Sequence, residues 1–188
     1  TLDVIQRHPN RYQATLLSAY CSVDDMEALC RAHQPAHAVM GDPDAAAALA
    51  NRLADLSEVT VEAGAAVLDD LVAESTIDSV VAGIVGFAGL RPTLSAARAG
   101  KTILLANKEA LVSAGGLFME TVRQGGATLL PVDSEHNAMH QCLPVAPDGR
   151  PNMTDVEKIV LTASGGPFRG RSRSSLDAVT PAEACAHP

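Results

Sequence analysis

Short apolar runs alternate with helix-like segments along most of the chain. Ala14 to Ser18, Ala36 to Met40, Val59 to Val61, Ser79 to Val81, Thr102 to Leu105 and Ala127 to Pro131 read as strands. Each precedes a stretch with helical spacing, and strand-helix alternation of this kind predicts a parallel sheet covered by helices on both faces. Helix starts carry the expected chemistry. Ser22 stands three residues before Asp25, Asp42-Pro43 puts an acceptor ahead of a proline at the first helical position, and Thr180-Pro181-Ala182-Glu183 spells a capping box. The opening Thr1-Leu2-Asp3-Val4-Ile5 reads as helix. The pattern changes near residue 133. Beyond it come a Pro/Gly/Asp-rich stretch, Pro144 to Asn152, and a fresh strand-like run, Lys158 to Thr162. The expectation is a Rossmann-like α/β domain over residues 1–133, followed by the start of an α+β domain over residues 134–188.

Composition narrows the partners. With 14 Lys and Arg against 22 Asp and Glu, the formal charge is -8, which argues against a surface built for nucleic acid or an anionic membrane. A phosphate group must then be held locally. The apolar run Val80 to Leu90 is broken by glycine and is shorter than the ~20 residues needed to cross a bilayer. The chain reads as soluble. Cys21, Cys30, Cys142 and Cys185 lack metal or redox spacing, which suits a reducing compartment such as the cytoplasm.

In a doubly wound sheet, ligands gather beyond the carboxyl ends of the strands. The segments to search are therefore Tyr20 to Ser22, Gly83 to Gly89, Asn107 to Glu109 and Asp133 to His136. Asp133-Ser134-Glu135-His136 is the sharpest of these. Two carboxylates around a hydroxyl at a strand end offer oxygen ligands to Mg²⁺ or Mn²⁺, while the same residues also suit a plain helix-capping cluster. His136 and His140 are spaced as a zinc pair would be, without the glutamate of H-E-x-x-H. Lys108, between Asn107 and Glu109, could neutralise an oxyanion or phosphate or simply stand in a solvated first turn. Ala82 to Gly86 is a glycine-bearing turn that lets backbone approach a ligand. Thr162 to Arg169, containing Ser164, could present amides to a phosphate or be a connecting loop, and His187 follows the last short helix.

The stretches AGIVGFAG (Ala82 to Gly89), AGKTILLANKE (Ala99 to Glu109), LLPVDSEHN (Leu129 to Asn137), LTASGGPFR (Leu161 to Arg169) and AEACAHP (Ala182 to Pro188) together resemble the 1-deoxy-D-xylulose 5-phosphate reductoisomerase family across essentially the whole chain. The resemblance implies NADPH and a divalent metal, Mg²⁺ or Mn²⁺, as cofactors. It also implies a sugar-phosphate substrate, a homodimer and a place in non-mevalonate isoprenoid precursor synthesis. By matching positions, Asp133 and Glu135 correspond to metal ligands, and Lys108, Ser134 and Glu135 to substrate contacts. Ser164 and His187 match residues that help hold substrate, and Asn107 and Glu109 match positions lining the NADPH site. Where the family has a segment that touches the adenosine 2′-phosphate, this chain reads Tyr20-Cys21-Ser22, leaving Ser22 as the hydrogen-bonding group.

The resemblance further implies that the chain starts after the family's opening strand and glycine-rich phosphate turn. It would stop before a third acidic metal ligand, further substrate contacts and a C-terminal helical domain. These residues alone are then expected to be inactive and to hold a divalent ion weakly. Two other readings compete: a different NADP-linked Rossmann oxidoreductase, which has no use for the Asp133/Glu135 pair, and a non-catalytic binding module.

Overall fold

The computed structural model describes residues 1–146, 151–162 and 166–186. The chain divides into two compact units, Thr1–Asp133 and Ser134–Pro188.

The first unit runs α1 (Leu2–Arg7), β1 (Leu16–Ala19), α2 (Val23–His33), β2 (His37–Met40), α3 (Pro43–Arg52), β3 (Thr60–Ala63), α4 (Ala65–Leu71), β4 (Ser79–Ala82), α5 (Leu90–Arg98), β5 (Thr102–Leu105), α6 (Glu109–Gly125) and β6 (Thr128–Pro131). The strands form two parallel three-stranded ladders, β1-β2-β3 and β4-β5-β6. All six strands read from the hydrophobic pattern are present. Four of them enter their ladders one or two residues later than the apolar runs suggest, because an apolar residue before the first ladder bond extends the run but not the pairing. In the second ladder Ser79, Thr102 and Thr128 lie opposite one another at one end, and Ala82, Leu105 and Pro131 at the other. The segments leaving β4, β5 and β6 therefore start level, at one edge of the sheet.

Packing explains why the helices sit where they do. One apolar cluster joins Leu90, Leu94, Ala96 and Ala97 of α5 to Ile103 and Leu105 of β5 and to Ala110, Phe118 and Val122 of α6. Phe118, Ile103, Ala96 and Ala97 are fully buried, and removing a side chain of Phe118's size from water stabilises by roughly 1.5–3 kcal/mol. The alanines of α5 let α6 come close. A Cβ on Gly125 would lie 2.0 Å from the Ala97 carbonyl oxygen, so only glycine fits there. A second cluster gathers Met26 and Cys30 of α2, Ala38 and Met40 of β2, and Leu49 of α3. Burial pushes the Cys30 thiol above its ordinary pKa, leaving it a small apolar side chain rather than a nucleophile.

Asp42 caps α3 through a 2.9 Å bond from the Ala45 amide, with Pro43 in the first turn, as its sequence requires. Ser22 does occupy the capping position of α2, but its side chain makes no cap hydrogen bond.

The second unit contains α7 (Ser134–Cys142), an antiparallel bridge between Val145 and Pro151, and α8 (Pro181–Cys185). The Thr180 capping box is formed. The strand expected over Lys158 to Thr162 is not. Those residues are irregular and Val160 is 73% exposed, because among the described residues no strand lies beside them to share a ladder. No helix among the described residues is long and apolar enough to cross a membrane.

Candidate cofactor and metal site at the carboxyl edge of the sheet

Beyond Ala82 the chain leaves β4 through Gly83 to Val85 and enters a short 3-10 turn, Gly86–Gly89. The segment after β5 is stitched to it, since the amides of Ala106 and Asn107 both donate to the Ala82 carbonyl, at 3.1 and 3.0 Å. Asn107 is only 3% exposed. Its Nδ2 donates to the carbonyls of Ile84 and Gly86, at 2.5 and 2.9 Å, and its Oδ1 accepts from the Ala110 amide at 3.2 Å. One amide side chain thus closes the β4 turn and caps α6.

Lys108 points the other way. Its side chain is 56% exposed, and Nζ donates to Asp133 Oδ2 at 2.8 Å. Asp133 is reached because the Val132 amide bonds the Leu105 carbonyl at 2.9 Å, carrying the β5–β6 pairing one residue past the strand. The Asp133 side chain is 13% exposed, and a carboxylate so far withdrawn from water needs a cation or strong donors close by. This is a position that favours positive charge.

Glu109 is exposed in the first turn of α6. Ser134 and Glu135 open α7, are exposed, and line an open cavity of about 730 Å³ in the second unit together with Met139, Ile159 and Leu161. Ser22 is exposed at the start of α2. Ser164 and His187 lie outside the described residues. His136 and His140 share α7, and among the described residues no group of three His, Cys, Asp or Glu side chains is placed to hold a metal. The hard oxygens of Asp133 and Glu135 do fit Mg²⁺ or Mn²⁺ by donor type, since such ions take few protein ligands and complete their shells with water and substrate oxygens.

A second feature went unseen in the sequence. A cavity of about 530 Å³ in the first unit is lined by Leu16, Leu17 and Ala19 of β1, Val80 and Ala82 of β4, and Leu2 of α1, among others. Among the described residues β1 pairs only with β2 and β4 only with β5, so both strands turn an unpaired edge to this space.

Residues 1–115 match the family model of 1-deoxy-D-xylulose 5-phosphate reductoisomerase. The chain belongs to that family. Residues 129–188 match the model of the reductoisomerase C-terminal domain. The reductoisomerase of Ralstonia nicotianae is 54% identical over 190 residues, and that of Cupriavidus taiwanensis 55% over 189. Each match covers 100% of this chain and 48% of the relative, so the chain spans about half the length of the curated relatives it matches. The solved reductoisomerase from Zymomonas mobilis in complex with NADPH superposes with a TM-score of 0.82 at 46% identity, covering 96% of this chain and 46% of that one. A DOX-P reductoisomerase in complex with NADPH, fosmidomycin and magnesium gives 0.81 at 41% identity, covering 100% and 47%. The α/β Rossmann-like fold expected from strand-helix alternation is the fold of these reductoisomerase structures.

Proposed function

We propose that this chain supplies the cofactor side and the first part of the metal side of an NADPH-dependent reductoisomerase. The enzyme would convert 1-deoxy-D-xylulose 5-phosphate to 2-C-methyl-D-erythritol 4-phosphate in non-mevalonate isoprenoid precursor synthesis. The observation that carries this reading is the Lys108–Asp133 pair, set where β5 and β6 end level, in a chain of this family. Residues 1–133 serve as the NADPH-binding domain and residues 134–188 begin the catalytic and dimerisation region of a cytoplasmic homodimer. The unpaired edges of β1 and β4 suit one further parallel strand between them, the place for the opening strand that the resemblance implies.

Asp133 and Glu135 would hold Mg²⁺ or Mn²⁺, and Lys108, Ser134 and Glu135 would face the oxygens of the substrate. Ser164 and His187 help retain the sugar phosphate, while Asn107, Glu109 and Ser22 belong to the cofactor side. When bound, the divalent ion supplies Lewis acidity toward the substrate oxygens and NADPH supplies the hydride that reduces the rearranged aldehyde. Lys108 adds a fixed positive charge beside the developing oxyanion. The protein's remaining task is placement.

The test uses the full-length protein with 1-deoxy-D-xylulose 5-phosphate, NADPH and Mn²⁺, following loss of NADPH absorbance, and repeats it with Glu135→Gln. Turnover that disappears with the substitution supports the assignment. Turnover that survives removes Glu135 from the metal site, and a folded full-length protein with no turnover leaves a non-catalytic binding module.

A further inference from the structure

Asn107 matches a position that lines the cofactor site in the family, yet its side chain faces into the protein. Both amide hydrogens are committed to main-chain carbonyls, those of Ile84 and Gly86, and the oxygen is committed to the first turn of α6. At 3% exposure the side chain has no face left for a ligand. Its surroundings are built to match. A Cβ on Gly89 would lie 2.5 Å from Asn107 Nδ2 and 2.5 Å from the Ile84 oxygen, so the turn closes over the amide only because residue 89 is glycine. Gly86 takes φ +72, a conformation that L side chains rarely adopt, which lets its carbonyl turn back toward the same amide.

No other side chain of this length does the same work. Aspartate keeps the oxygen for Ala110 but sets a carboxylate against two carbonyl oxygens, and serine keeps a cap but cannot span to the turn. The clamp joins two exposed segments. Outward from it lie the turn carrying Val85 and Phe87, 82% and 68% exposed, and the next residue in sequence is Lys108.

We infer that Asn107 is a positioning residue. Its side chain locks the Ile84–Gly89 turn to the start of α6, so that the turn presents a fixed surface to the cofactor and Lys108 meets Asp133. Any contact that Asn107 itself makes with the cofactor comes from the main chain. This rests on the reductoisomerase reading above.

The test compares full-length wild type with Asn107→Ala and Asn107→Ser by amide hydrogen exchange, by NADPH affinity from cofactor fluorescence, and by steady-state kinetics. Loss of the clamp leaves the carbonyls of Ile84 and Gly86 without the Asn107 donor, so the amides of residues 83–89 should exchange about tenfold faster while those of β1 to β3 hold. NADPH affinity and kcat should each fall about tenfold, the size of one such lost interaction. Asn107→Ser, which retains a helix cap, serves if the alanine variant does not fold. Unchanged exchange over residues 83–89 overturns the clamp, and weaker NADPH binding with unchanged exchange makes Asn107 a direct contact instead. Faster exchange with unaltered affinity and kcat reduces it to a structural residue and also overturns the inference. A wild-type protein that neither binds NADPH nor turns over sinks the functional reading, while the exchange arm still judges the clamp.

Discussion

The Lys108 ammonium donates to Asp133 Oδ2 across 2.8 Å, although the two residues stand 25 apart in sequence, on the segments that leave β5 and β6. The pair is lopsided in burial, with the lysine more than half exposed and the aspartate largely withdrawn from water. Its cation can therefore turn toward a ligand while its anion cannot easily leave.

Replacing Lys108 with methionine keeps the apolar stem and removes the charge. In the full-length protein we expect kcat to drop by roughly 100-fold or more, as when a preorganised group opposite a developing negative charge is lost. Because the withdrawn Asp133 carboxylate loses its cation, the thermal midpoint should also fall below that of wild type. Steady-state kinetics with paired melting curves decide the matter, and a variant within threefold of wild-type kcat would exclude Lys108 from the chemistry.

Two neighbouring glycines at the end of α6 separate steric from conformational cost. Gly125→Ala presses a Cβ against the Ala97 carbonyl, an overpacking expected to cost about 1–3 kcal/mol. Gly126→Ala meets open space but must hold φ +67 at the helix end, for about 1 kcal/mol. Denaturant midpoints should rank wild type, Gly126→Ala, Gly125→Ala in falling order. The reverse order would mean that α5 and α6 are not packed as closely as described.

Arg31 bonds Asp55 at 2.8 Å and Glu27 at 3.0 Å, and donates to the Arg52 carbonyl at 2.8 Å. The hydrogen bond from Arg31 holds the Asp55 carboxyl below its usual pKa. Because the folded pKa is the lower one, this stabilisation is present above the ordinary carboxylate value of about 4 and is lost as pH falls through the folded value. The Arg31→Gln variant should therefore melt slightly below wild type at neutral pH, by a margin that narrows in acid and in high salt. A residual gap in acid is expected from the carbonyl bond, which does not titrate. A margin that is the same at both pH values would rule out Asp55 as the partner that matters.

Much of the framework could be read from local pattern. Thr102 to Leu105 was bounded correctly because the polar run Asn107-Lys108-Glu109 follows within two residues, a local signal. The Asp42 and Thr180 caps were legible for the same reason, since acceptor and amide lie three residues apart. Lys158 to Thr162 failed for the opposite one. Its apolar residues satisfy a strand pattern, but a strand exists only when another chain segment offers its carbonyls and amides.

What the sequence by itself determined is the alternation of elements, the family, and the set of polar residues at the strand ends. Which way those residues face was decided by the tertiary structure. Asn107 and Lys108 are adjacent and both polar, yet one is buried against Ile84 and Gly86 and the other reaches Asp133. The physical reason is that parallel neighbours are joined only through a long crossover, here all of α6 between β5 and β6. Register across that crossover comes from the packing of Phe118 and Val122 on α5 and β5, and no local run of residues encodes it.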